Sequence, residues 1–205
     1  MMLRSALLLH LATASALGLA WPPPAASAAA EAASFRIETI AETELETLPA
    51  APLYWRVERF PTLAAAQAAA GPTALAAEAS GRAWLFTLGP AGGATPGGTR
   101  LAEIGPVPRF AAPRYRLLIN HAAAPPGAET PVHSHPGSEA FYVLAGELSQ
   151  RTGHGTARVA AGEAMNGHAP GTAMQLTSSG RVDLDQLVMF VVDPTQPFSP
   201  PAEFD

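Results

Sequence analysis

Apolar and polar positions alternate along this chain in three different ways, and each predicts a different kind of structure. Met1 to Arg4 is a short basic start, Ser5–Ala20 is an apolar run rich in leucine and alanine, and Trp21 with Pro22–Pro24 ends it. Small residues then continue to Ala30, and Ala26-Ser27-Ala28 fits the small-x-small rule for signal cleavage, with Ala28-Ala29-Ala30 as a rival site. The apolar run is short for a membrane span, so an uncleaved anchor is the weaker reading. Residues 1–28 are therefore expected to be a signal peptide. The mature protein is expected to be exported (periplasmic or secreted), with no membrane span after cleavage.

Residues 29–111 are mixed in pattern. Phe35–Ile40 alternates apolar and polar positions as a half-buried strand does, and Leu53–Phe60, Arg82–Leu88 and Thr99–Ile104 are further strand candidates. Thr62 is placed to cap an alanine-rich stretch from Leu63 to Ala79, which Gly71-Pro72 must divide into two short helices. The loop Gly89–Gly98 holds five glycines but lacks the G-x-G-x-x-G spacing and a following lysine, so it does not predict a phosphate cradle.

From Tyr115 onward the period is two, and no helical stretch interrupts it. Tyr115–His121, Glu139–Leu144, Glu147–Thr152, Thr156–Ala161, Thr172–Thr177 and Val182–Val192 are strand candidates separated by Gly/Pro turns. Short strands at this spacing predict a sandwich or barrel. Residues 112–193 are thus expected to be a β-barrel, and 194–205, with four prolines, an extended arm. The fold class is all-β, with an N-terminal extension of strands and short helices over 29–111.

Composition narrows the chemistry. The 205 residues include no cysteine, and all twelve basic residues are arginine. Thiolate nucleophiles, thiolate metal sites, disulfides, Schiff bases and phosphate-loop lysines are thereby excluded. A net charge of −5 argues against a nucleic-acid partner. Histidine, carboxylate and hydroxyl chemistry remain.

Five of the six histidines lie from His121 to His168. His133 and His135 are two apart, so in an extended segment both imidazoles project from one face. Pro136-Gly137 turns the chain and Glu139 opens the next apolar strand. Two nitrogen donors and one carboxylate make the composition of a facial site that suits Fe(II) and also accepts Mn, Zn, Ni or Cu. Period-two reading from Glu139 puts Phe141 and Val143 on its face. Met174 and Leu176 share a face on a later strand, and Gln186 is a candidate polar contact on the last one.

The spacing Gly127-x5-His133-x-His135-x3-Glu139-x6-Gly146 resembles the first motif of the cupin superfamily at every fixed position. The resemblance implies a cupin-type jelly-roll barrel in which His133, His135 and Glu139 are metal ligands and the two glycines are turn residues. The second motif of the family, G-x5-P-x-G-x2-H-x3-N, is only partly present. Gly162 is a credible start, and with one inserted residue Gly171 takes the second glycine position. Met174 then falls where the ligand histidine belongs and Ser178 where the asparagine belongs. The possible fourth ligand is Met174, a thioether that suits only soft ions, or His168 six residues earlier. His121 reads as a satisfied barrel residue and His154 as an exposed turn.

The expected pocket is small and apolar, lined by Phe141, Val143 and Leu176. Its expected cofactor is a divalent transition metal, its partner a small organic molecule, and pairing through edge strands into a homodimer is a further expectation. The implied functions are a metal-dependent enzyme similar to the quercetinase-like dioxygenases and, as the alternative, a non-catalytic metal-dependent binding or sensing module. A purely structural barrel is disfavoured by the complete first motif.

Overall fold

The computed structural model describes residues 34–50 and 52–204. The predicted signal peptide, residues 1–28, lies outside them. The strands run in chain order as β1 (Arg36–Leu45), β2 (Tyr54–Phe60), β3 (Ala74–Ala79), β4 (Arg82–Gly89), β5 (Thr99–Ile104) and β6 (Tyr115–Ala124). There follow β7 (Gly137–Ala145), β8 (Glu147–Thr152), β9 (Gly155–Ala160), β10 (Ala164–Asn166), β11 (Met174–Ser178) and β12 (Leu184–Val192). One helix, α1 (Leu63–Ala69), sits between β2 and β3.

These strands make three antiparallel sheets: β1-β6-β12-β7-β10, β11-β8-β9 and β3-β4-β2-β5. The five-stranded sheet lies in the middle and is covered on both faces. On β12 the odd positions Leu187, Met189 and Val191 join Leu117, Ile119, Ala140 and Tyr142 in a core shared with Trp55, Trp84 and Phe86 of the four-stranded sheet. The even positions Leu184, Val188, Phe190 and Val192 join Phe141, Val143, Leu148 and Leu176 in a second core against the three-stranded sheet. The second core is the interior of an antiparallel jelly roll. Burial on both faces also explains why β12 is an almost continuous apolar run rather than an alternating one. Trp84 bridges the first core, its ring 6.3 Å from that of Tyr142.

Two expectations about the N-terminal part are corrected. The alanine-rich stretch forms one helix, not two. Thr62 does cap it, accepting from the Ala65 amide at 3.2 Å, but Ala74–Ala79 is a strand paired with β4. Leu75, Ala77 and Ala79 alternate into the first core, and Ser80 and Gly81 both take positive φ in a two-residue hairpin turn. The small alanines allow β3 to pack close to Trp84, and this tertiary gain overrides their helix propensity. Second, β1 continues to Leu45, well past Ile40, because a register shift between Thr39 and Ala41 resets its alternation. The short strand β10 was also not among the expected elements.

Candidate metal and ligand site

Glu139 enters the jelly roll on β7, directly opposite Phe190 of β12. The close approach of the two strands depends on glycine: a Cβ on Gly137 would run into the Val191 carbonyl oxygen. At Gly146 the next turn needs a φ of +75°. His133 and His135 lie on the segment before β7, which is held from two sides. His133 exchanges backbone hydrogen bonds with Met174 of β11 at 2.9 and 2.8 Å, and the Ser134 and Ala202 amides bond the Pro200 and Val132 carbonyls at 3.2 Å each. The proline-rich arm thus runs as an extra strand-like strap across the mouth of the barrel.

Both imidazoles are oriented through Nδ1. That of His133 lies 2.8 Å from the Pro131 carbonyl oxygen, and that of His135 lies 2.7 Å from the Phe198 carbonyl oxygen. A carbonyl only accepts, so each Nδ1 carries a proton, and in the neutral form of either ring the lone pair is on Nε2. The rings meet edge to face at 5.0 Å, and the His135 ring is clasped by Phe190 and Phe198 at 4.9 and 4.8 Å. His135 Nε2 faces Glu139 Oε2 at 3.7 Å.

This last contact is not an ion pair at neutral pH. Burial pushes the Glu139 carboxyl up to about 8, only partly countered by its hydrogen bond with Gln150. Burial also pulls His135 down to about 4, against the bond to Phe198 and with a smaller contribution from His133 in the same direction. Both groups are neutral near pH 7. A cation bound here would displace the carboxyl proton and draw Glu139 into its charged form beside the two imidazoles. The donor types fit a transition metal, although among the described residues no trio of His, Asp or Glu is drawn together as tightly as an ion would hold it. The His135–Glu139 pair is in place, with His133 one ring further out.

Gln150, which sequence reasoning missed, organises the far side of the carboxyl. Its amide nitrogen donates to Glu139 Oε1 at 2.8 Å and to the Met174 sulfur at 3.4 Å, while its oxygen lies 3.0 Å from His168 Nε2. Gln150 thus links His168 and Met174 to the carboxyl. His168 is itself held below the ordinary histidine range, first by burial and then by His154. The signal for Gln150 was present: it alternates with Leu148 and Thr152 on the buried face of β8. Gly167 was also missed. Its amide bonds the Glu139 carbonyl at 2.8 Å, and a Cβ there would collide with the Glu139 backbone.

The site opens on a cavity of about 460 Å³, with His133, His135 and Glu139 in its wall. Leu176 lines it, together with Phe35, Ile37, Val188, Phe190 and Phe198. Phe141 and Val143 share the Glu139 face but are packed in the second core rather than in the cavity wall. Gln186 and Asn120 supply polar wall positions. Behind His135 lies a second cavity of about 330 Å³, bounded by Phe110, Pro136, Pro170 and Pro197. His121 lies apart, its Nε2 2.7 Å from Asp185 Oδ1, with Ser80 Oγ donating to Asp185 Oδ2 at 2.6 Å. His154 is exposed in the β8–β9 turn.

An antiparallel jelly roll with a His-x-His-x3-Glu segment at its mouth defines a class, and a family match over part of the chain agrees with it. The Cupin domain family matches residues 120–166, from β6 through β10. The chain carries a cupin domain. No curated protein matches the sequence.

Among solved structures, a polyketide cyclase from Streptomyces resistomycificus is similar at 19% identity and a TM-score of 0.37, over 43% of this chain and 62% of that one. The DMSP lyase of Ruegeria pomeroyi is similar at 23% identity and a TM-score of 0.37, over 42% of this chain and 43% of that one. A cupin superfamily protein from Desulfitobacterium hafniense is similar at 13% identity and a TM-score of 0.34, over 38% of this chain and 68% of that one.

Proposed function

We propose that this is an exported, metal-dependent cupin protein that takes a small, largely apolar, oxygen-bearing organic molecule and oxidises it in a dioxygenase-like reaction. The observation that carries the reading is the set of donors at the cavity wall. Two imidazoles have Nδ1 committed to backbone carbonyls, which leaves Nε2 as the nitrogen that can ligate, beside a buried carboxyl. His133, His135 and Glu139 would hold the ion, and Fe, Mn, Zn, Ni or Cu are all compatible with this donor set. When bound, such an ion supplies Lewis acidity and, if redox-active, a centre at which dioxygen and substrate can react.

The chain's own residues prepare the site. Glu139 gives up its proton to become a ligand. Gln150 keeps Oε1 occupied so that Oε2 is the oxygen left to face His135. The Phe198 carbonyl fixes the tautomer of His135, and the aromatic and aliphatic walls exclude water. Among the described residues the cavity wall contains no titratable side chain besides the three proposed ligands. Once these hold an ion, no general base remains, which favours oxidation over proton abstraction. The same poverty supports the second reading, a metal-dependent binding or sensing module with no reaction of its own.

The test is elemental analysis of protein purified from its exported compartment, beside the His133→Ala/His135→Ala double variant. About one transition-metal ion per chain in the wild type, lost in the variant, is expected; a metal-free wild type refutes both readings. Oxygen uptake by the loaded protein with flavonol, catechol and β-diketone panels then separates enzyme from binder. Export is tested by the mature N-terminus, which is expected to begin at Ala29.

A further inference from the structure

We propose that Gln186 is the specificity-determining anchor for the far end of the ligand, selecting a neutral group that presents a hydrogen-bond donor and acceptor side by side, such as a ring lactam or carboxamide. Gln186 is completely buried on β12, and among the described residues neither its amide nitrogen nor its amide oxygen has a partner. Its position is inward: Gln186, Val188 and Phe190 follow one another at period two, and all three line the 460 Å³ cavity. Its neighbours across the strands are Ala122 and Val143, which offer no side-chain hydrogen bond. An unpaired amide at such a place lowers stability, and a leucine of similar size would avoid the loss. A ligand that completes the amide accounts for its presence.

The surroundings define the ligand's chemistry. Asn120, diagonal to Gln186 on β6, also lines the cavity, and its carbonyl oxygen is engaged by the Thr39 hydroxyl at 2.9 Å, leaving its amide hydrogens as the group it can offer. Among the described residues the cavity wall carries no arginine and no acid other than Glu139, so this end suits a neutral group, not a carboxylate or phosphate. Gln186 stands four residues before Phe190, the partner of Glu139, which is a separation of about 13 Å along the strand. A ligand touching both ends is therefore elongated, on the scale of two fused rings with a substituent.

This inference rests on reading the cavity as the ligand site, but not on the presence of a metal. The test uses 2-quinolinone, which has adjacent N–H and C=O groups, its N-methyl derivative, which lacks the donor, and quinoline, which lacks both the N–H and the C=O. Binding to the full-length mature protein is measured by calorimetry with and without chelator. Wild type is expected to prefer 2-quinolinone about tenfold over the N-methyl compound, with or without chelator. Gln186→Leu and the closer isostere Gln186→Met are expected to lose that preference while melting at or above the wild-type temperature. A wild type that does not discriminate among the probes overturns the proposal. So does a Gln186→Met variant that keeps the preference, the result expected if a buried water completes the amide. Discrimination that persists in chelator leaves this inference standing even where elemental analysis has refuted the metal reading.

Discussion

Replacing Glu139 with glutamine should abolish a specific loss of stability between pH 6.5 and 8. In the metal-free fold the buried carboxyl holds its proton up to about pH 8, whereas its ordinary value is 4.5. Between those values the folded state binds a proton that the unfolded chain has released, so stability falls as pH rises. His135 works the other way: burial lowers it from 6.5 to about 4, so between those values the unfolded chain binds the extra proton and stability rises with pH. The two slopes oppose each other from 4.5 to 6.5 and nearly cancel. His168, also held low, adds only to the rise below 6.5.

Above 6.5 the Glu139 slope acts alone. Over the interval to 8 it amounts to about 2 kcal/mol at ~1.36 kcal/mol per pH unit. Glutamine keeps the shape and the acceptor for Gln150 but does not titrate. Urea denaturation with chelator at pH 6.5 and 8, at constant ionic strength, should show the wild type losing this amount and Glu139→Gln remaining level. Parallel behaviour of the two proteins would refute the reasoning. A bound cation should reverse the slope, because it displaces the proton: metal affinity is expected to rise about tenfold per pH unit over the same interval.

Other perturbations have equally definite outcomes. Gln150→Leu strips a partner from Glu139, Met174 and His168 together; it should cost about 1–3 kcal/mol by chemical denaturation and weaken metal affinity roughly 10–100-fold. Met174→His should strengthen Zn(II) or Ni(II) affinity in competition titrations, since Met174 packs beneath the carboxyl with its sulfur already a hydrogen-bond acceptor; weaker Cu(I) binding would instead mark the thioether as a ligand. Gly137→Ala and Gly167→Ala should each lose about 1–3 kcal/mol by the same denaturation assay, because both would drive a methyl group into backbone, whereas Gly153→Ala, with open space around it, should be close to neutral.

The barrel was legible because its strands carry their own punctuation. Thr99–Ile104 and Glu147–Thr152 coincide with observed strands, and β12 could be read from its unbroken run of apolar residues. The first motif was legible because its turns need glycine at Gly127 and Gly146, which both take positive φ. What escaped was long-range. Nothing local to Ala74–Ala79 says that Trp84 will cover it, and alanine favours a helix until it does. Gln150 is an ordinary polar residue in local sequence, and its importance comes from burial against strands far along the chain; Gln186 was readable as a polar contact, but its complete burial was not. The arm was recognisable as extended, but its use of a Phe198 backbone carbonyl has no signature in residue type.

That carbonyl also sets an order of events. Phe198 follows every strand of the barrel in the chain, so His135 acquires its tautomer-fixing partner only after the last strand has been made and the strap has folded back. A nascent or translocating chain would present both imidazoles without that constraint. If the site takes an ion as proposed, the ion best matched to the finished shell would be chosen from whatever surrounds the folded protein, and a metal recovered after overexpression would report the place of folding as much as the preference of the site. Refolding in defined mixtures of ions, with strap closure followed in time, would read that preference directly.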